Sequence, residues 1–168
     1  EIWGPIPEEV YTNSDSAPPT DAIILFDGSD LSKWEGSWSD KESEWDINDD
    51  GFLVNDGTNG RLIQTKENFG SVQLHVEWKT SEDTSFTNQK RSNSGVFLQG
   101  RYEIQILDSY KSPTYVNGQA GSVYKQYIPL VNASRKPGEW QSYDIIFDAP
   151  KFNSDGKKIK SGYFTVFH

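Results

Sequence analysis

The sequence predicts an all-β fold, a two-sheet antiparallel β-sandwich of jelly-roll type, and three observations predict it. From Ala22 onward, short runs of β-branched and aromatic residues are punctuated by Asp27-Gly28, Asp50-Gly51, Asp56-Gly57 and Asn59-Gly60. Such dipeptides tolerate positive φ and so suit tight turns between strands. Two segments, 71–79 and 102–107, alternate polar and apolar residues with a period of two. No window repeats apolar residues at helical spacing for long, and no repeat recurs at fixed spacing. Because a single sheet cannot hide its apolar face, many short antiparallel strands around one core imply two stacked sheets.

Residues 1–21 hold Pro5, Pro7, Pro18 and Pro19 among Ser, Asp and Thr, and read as an irregular arm. Residues 22–168 are expected to form one sandwich domain, since 168 residues lie near the modal domain size. Asp50-Gly51 between Glu44-Trp45-Asp46-Ile47-Asn48 and Phe52-Leu53-Val54 is the strongest hairpin signal in the chain. In 71–79, Val72, Leu74, Val76 and Trp78 point one way, and Gln73, His75, Glu77 and Lys79 the other. In 102–107, Tyr102, Ile104 and Ile106 oppose Glu103, Gln105 and Leu107. This alternation sends one set to the core and the other to an open face. Segments 80–93 and 108–122 are polar or rich in Gly and Pro, and read as long loops, where function tends to collect. Tyr163-Phe164-Thr165-Val166-Phe167-His168 reads as a strand that stops at the chain end, so a sandwich lacking its last strands is expected.

Composition narrows the chemistry. With 25 acidic residues against 16 basic, a net charge of −9 and no basic run, the chain lacks the surface that neutralises phosphates, and nucleic acid is not an expected partner. The absence of cysteine removes thiol nucleophiles, disulfides and thiolate metal sites. His75 and His168 are the only imidazoles, so any metal would be a hard divalent cation held by oxygen. No apolar stretch reaches the length of a membrane span, and the first residues lack the layout of a signal peptide. No nucleophile elbow, P-loop, dinucleotide fingerprint or His-Glu-x-x-His motif is present. Asn48-Asp49-Asp50-Gly51 lacks the spacing and closing Glu of a calcium loop, and a hairpin turn explains it.

Glu103 and Gln105 share one side of their strand, and His75 and Glu77 share one side of theirs. One sheet face would thereby gather carboxylates, an amide and an imidazole, with Glu103 and Gln105 pointing together into a hollow that can hold a sugar ring. Sugars suit such a face, because vicinal hydroxyls take planar polar partners and axial C–H groups rest on aromatic planes such as Trp34, Trp38, Trp45 or Trp140. The same alternation also describes the ordinary solvated face of an antiparallel sheet.

Leu25-Phe26-Asp27-Gly28-Ser29-Asp30-Leu31-Ser32-Lys33-Trp34 resembles the "LF(N/D)G-x-(D/S)L-x-x-W" opening of the 3-keto-disaccharide hydrolase domain family. Matching blocks follow in order: Leu74-His75-Val76-Glu77-Trp78, Asn93-Ser94-Gly95-Val96-Phe97-Leu98, Tyr102-Glu103-Ile104-Gln105-Ile106-Leu107-Asp108, Gly121-Ser122-Val123-Tyr124 and Lys136-Pro137-Gly138-Glu139-Trp140. The resemblance implies a concanavalin-like jelly roll in an exported, periplasmic or cell-surface bacterial protein that acts on glycans. Where the family usually has Arg after the "NSGVFL" block this chain has Gln99, with Arg101 close by. The family also continues past the Phe167-His168 strand to motifs absent from this chain.

The resemblance implies cleavage of a 3-keto-glycoside: the C2 hydrogen is α to a ketone, a base removes it, the enolate expels the C1 oxygen, and water adds. Such a site needs a base, a partner for the ketone oxygen and a proton donor. Carried onto this sequence, Glu103 is the candidate base or metal ligand, and Gln105, His75 and Asp108 complete the catalytic candidates. Asn93, Glu77, Tyr124, Lys125, Arg101 and Trp140 are the substrate-binding candidates. A carbohydrate is the expected partner, and the need for a divalent cation stays open. Two other readings stand beside this one: a non-catalytic carbohydrate-binding module on the same sandwich, and a glycosidase in which Glu103 has a second carboxylate within about 5 to 9.5 Å.

Overall fold

In the computed structural model of the chain, the described residues are 4–12, 14, 17–37, 45–55 and 62–168. Trp38 and the expected turns Asp56-Gly57 and Asn59-Gly60 lie outside them. Among the described residues, regular structure is strand except for single 3₁₀ turns at Asn88–Lys90 and Val116–Gly118. The chain divides into two units, Glu1–Asn68 and Phe69–His168.

The first unit carries β1 (Trp34–Gly36), β2 (Asp46–Ile47), β3 (Leu53–Val54) and β4 (Ile63–Thr65). β1 pairs antiparallel with β4, and β2 with β3. The β2–β3 hairpin forms where Asp50-Gly51 predicts it, but its turn is wider than two residues. Gly51 N–H reaches Asn48 O at 2.9 Å, and Asn48 Oδ1 accepts from Phe52 N–H at 2.8 Å. Only Gly51 takes positive φ there, at 77°, because the Asn48 side chain closes the loop in place of a second left-handed residue. The loop before β1 is held by its own carboxylates: Asp27 accepts from Ser29, Asp30 accepts from Ser32 N–H, and the Trp34 indole donates to Leu25 O at 2.8 Å.

The second unit carries β5 (Val72–Trp78), β6 (Ser94–Leu98), β7 (Tyr102–Ile106), β8 (Gln141–Asp148), β9 (Lys151–Phe152), β10 (Lys158–Lys160) and β11 (Tyr163–Phe167). β5, β8 and β11 make an antiparallel sheet with β8 in the middle, β6 and β7 make a second layer, and β9 and β10 form a small hairpin. The period-two reading of 71–79 holds: Val72, Leu74, Val76 and Trp78 turn inward, while Gln73, His75 and Glu77 are exposed. The inward face meets Tyr143, Ile145 and Phe147 of β8 together with Leu98 and Ile104 from the second layer. Aromatic contacts tie the layers, with the Tyr102 ring centroid 5.9 Å from Phe147 and 5.7 Å from Phe164. The buried Tyr143 hydroxyl donates to Gln105 O at 2.7 Å. The chain is all-β, and these two facing layers are the sandwich of a jelly-roll fold. Among the described residues no helix is long and apolar enough to cross a membrane.

Candidate active site

β7 sets the site. Ile104 is buried in the core between the layers, so Glu103 and Gln105 leave the strand on the opposite side. A third, irregular strand extends this layer. Ile104 and Val123 form an antiparallel bridge, Tyr124 N–H donates to Glu103 O at 2.9 Å, and Gln105 N–H donates to Ser122 O at 3.0 Å. Loops 80–93 and 108–122 roof the outer face, which explains why Leu107, expected on the open side, is fully buried.

Beneath that roof lies a polar cluster. Gln105 is fully buried and does not line an open hollow as the alternation predicts, because the loops cover it. Its amide nitrogen lies 3.2 Å from Glu103 Oε1 and 3.1 Å from Ser94 O and donates to both, the first a charge-assisted bond when Glu103 is ionised. Gln89 is fixed by donating to Thr114 Oγ1 at 3.0 Å and Gly118 O at 2.9 Å, and Asn93 donates to Gln89 O at 2.9 Å.

Glu103 is the carboxylate of this cluster. It is half-buried, and burial raises its pKa above the ordinary carboxylate range. Its side chain lies across the neighbouring strand over Gly95. A Cβ at position 95 would meet Glu103 Oε1 and come within 2.7 Å of its Cγ and 3.0 Å of its Cδ. Gly95 therefore sets where the carboxylate sits. Because the clash is with a flexible side chain, Gly95→Ala should fold normally yet push Glu103 off its seat. Activity is expected to fall by about 10²-fold for a displacement near 1 Å, with an unchanged circular dichroism spectrum as the check that folding survives.

Two phenols border the carboxylate. Tyr115 Oη lies 2.5 Å from Tyr124 Oη, with ring centroids 6.2 Å apart. The hydrogen bond to Tyr124 first, then burial and the charges of Tyr124 and Glu103, push the Tyr115 hydroxyl up to about 12. The Lys125 ammonium sits 5.3 Å from the Tyr124 ring centroid, and Lys125, at φ 58°, anchors the turn by donating its N–H to Asn117 O at 2.8 Å.

Of the candidates read from sequence, the structure brings together Glu103, Gln105, Asn93, Tyr124 and Lys125. It does not bring His75 and Glu77 to them. Those two project from the outer face of the three-stranded sheet, and the core lies between that face and Glu103. The expectation of one shared face is corrected here, because β5 and β7 belong to different layers. His75 Nδ1 contacts Asp144 Oδ1 at 2.7 Å, with both side chains exposed. Asp108 is occupied elsewhere: Arg91 Nε donates to its Oδ2 at 2.8 Å with a second Arg91 nitrogen on the same oxygen, and Tyr110 N–H donates to Oδ1 at 3.1 Å. Arg101 sits at the exposed β6–β7 tip, where Gln99 and Gly100 take positive φ. Trp140 is partly exposed, and its ring centroid lies 5.3 Å from the Lys79 ammonium. Sequence reasoning missed Gln89, Gly95, Arg91 and Tyr115. The loop segments that carry Gln89 and Tyr115 were legible as functional ground, but their side-chain partners were not.

The donor set around Glu103 is amides and phenols rather than further carboxylates or imidazoles. Among the described residues no group of three or more His, Asp or Glu side chains could hold a metal ion.

An all-β sandwich with a single half-buried carboxylate set among amides and phenols has the makings of a carbohydrate-handling site. The chain belongs to the 3-keto-alpha-glucoside-1,2-lyase-like domain family, whose pattern matches residues 21–164. Among solved structures, a "putative glycosyl hydrolase" of Parabacteroides distasonis is 48% identical, with 99% of this chain and 72% of that one covered and a TM-score of 0.90. A second protein of the same name and organism is 20% identical over 87% of this chain and 72% of that one, with a TM-score of 0.55, a likeness of fold alone. Among curated proteins none matches the chain.

Proposed function

We propose that this protein cleaves the glycosidic bond of 3-keto-glycosides, with Glu103 as the base that removes the C2 proton. The observation that carries the reading is the Glu103 carboxylate itself: half-buried, raised in pKa by that burial, and seated over Gly95 beside an amide network, in a chain of this family. A C3 ketone acidifies the C2 hydrogen, so a carboxylate tuned upward is a competent base near neutral pH. Gln105, through its bond to Glu103, orients the carboxylate, and Asn93, the exposed amide, is the partner for sugar hydroxyls. Lys125, whose ammonium lies 5.3 Å from the Tyr124 ring centroid, brings positive charge to the Tyr124 side of the site. A two-carboxylate mechanism is not favoured, because the other acidic candidate in this layer, Asp108, is held by Arg91.

The test is substrate discrimination. Incubated with a 3-keto-glucoside and with its unoxidised parent, the protein is expected to release the aglycone from the first alone. Cleavage of the parent would establish an ordinary glycosidase instead, and binding without turnover of either would leave a carbohydrate-binding module.

A further inference from the structure

We propose that Tyr124 is the general acid of this site, protonating the leaving oxygen, and that Tyr115 is the positioning residue that holds Tyr124 ready. The inference rests on the 3-keto-glycoside reading and fills the step that reading leaves without a residue.

The geometry comes from the ladder. The Ile104–Val123 bridge sets Tyr124 opposite Glu103, so the two side chains leave the same face of the sheet. A base and an acid on one face can serve the adjacent C2 and C1 positions of one sugar. The two phenol oxygens, 2.5 Å apart, are joined by one O–H while two protons are present, so the other proton is free to meet a ligand. Tyr115 ionises late, and its first cause is the bond to Tyr124. Either hydroxyl can donate within the pair, and with Tyr115 donating, the Tyr124 O–H, on the face it shares with Glu103, is left for the substrate. When Tyr124 gives up its proton, the Tyr115 O–H already points at the new phenolate, and the Lys125 ammonium near the Tyr124 ring adds favourable charge. Gly118 makes the arrangement fit, since a Cβ there would press to 2.7 Å from Tyr115 Cδ2 and 2.8 Å from its Cζ.

The steps balance. Glu103 takes the C2 proton, and the C–H pair becomes the enolate. The enolate re-forms the ketone, closes a C1–C2 double bond and breaks the C1–O bond, whose electron pair leaves with the glycosidic oxygen. That oxygen takes the proton of Tyr124. Water then bonds to C1 of the enone, its proton returns to the Tyr124 phenolate, and Glu103, whose proton has exchanged with solvent in the meantime, protonates C2. Both residues end as they began.

The test compares leaving groups. Wild type, Tyr124→Phe and Tyr115→Phe are assayed on a 3-keto-glucoside with a 4-nitrophenyl aglycone, which departs without a proton, and on one with a sugar aglycone, which needs one. Tyr124→Phe is expected to lose about 10²–10⁴-fold in kcat on the sugar aglycone and little on the nitrophenyl one. Tyr115→Phe should show the same selectivity with a loss of about tenfold, the worth of one hydrogen bond. Equal losses on both substrates would overturn the acid assignment while leaving the 3-keto reading intact. Wild type inert toward both 3-keto substrates would overturn that reading and the assignment with it. A readout without turnover is the ultraviolet titration of the tyrosines. In Tyr124→Phe the late-ionising phenol should move back toward about 10, the ordinary tyrosine value, and a tyrosine titration that does not move would overturn the pairing.

Discussion

Glu103→Gln is expected to lower kcat/KM on a 3-keto-glucoside by about 10²–10⁴-fold, the usual contribution of a positioned general base. The amide keeps the shape that lies over Gly95 but cannot accept a proton, so binding should survive while turnover fails. The pH dependence follows from burial. The base works only when ionised, and because burial raises its pKa, the acid limb of kcat/KM should lie above the ordinary glutamate value of about 4.3. The sign for stability is the reverse of the usual carboxylate case. A folded-state pKa above the unfolded one favours the native state while Glu103 is protonated, and that contribution is lost as pH rises through the folded pKa. Near neutral pH the ionised carboxylate is a cost to the fold, so Glu103→Gln should be more stable than wild type there and close to equal in acid. Denaturant midpoints measured on both sides of that transition check it.

Asp108→Ala is expected to cost about 3–5 kcal/mol of stability, because it leaves the Arg91 guanidinium uncompensated beneath the loop. The pair is well buried, with the Asp108 side chain 2% and the Arg91 side chain 15% exposed. It closes a loop on itself as well, since Asp108 N–H donates to Arg91 O at 3.0 Å. Arg91 lies between Gln89 and Asn93, so the loss should also unseat the amides around Gln105. Chemical denaturation reads the first effect. The second appears as a raised KM in whatever fraction stays folded. Replacing both partners together, Arg91→Met with Asp108→Leu, should recover most of the stability and little of the activity. Asp108→Ala with unchanged stability and abolished turnover would instead return Asp108 to a direct chemical role.

These two carboxylates show what the sequence made legible. Glu103 and Asp108 stand five positions apart in one block, and nothing in their spacing tells which carries chemistry. Alternation placed Glu103 and Gln105 correctly on one side of β7, because a strand's period is fixed by backbone geometry. It could not show that loops from 80–93 and 108–122 fold over that side, since loop paths depend on long-range partners such as Gln89 with Gly118 O and Arg91 with Asp108. For the same reason His75 and Glu77 looked like neighbours of Glu103: two polar strand faces read alike until the layer of each strand is known. Gly95 was equally silent, a glycine inside a matched block whose purpose is visible only as the space that Glu103 fills.

The central claim is that Glu103 removes the C2 hydrogen, and isotope exchange at that carbon tests it most directly. Turnover of a 3-keto-glucoside in deuterium oxide, followed by nuclear magnetic resonance of the released sugar, should show solvent deuterium at C2 with wild type and no product formation with Glu103→Gln. Product that forms at the wild-type rate while keeping its original C2 hydrogen would contradict the account.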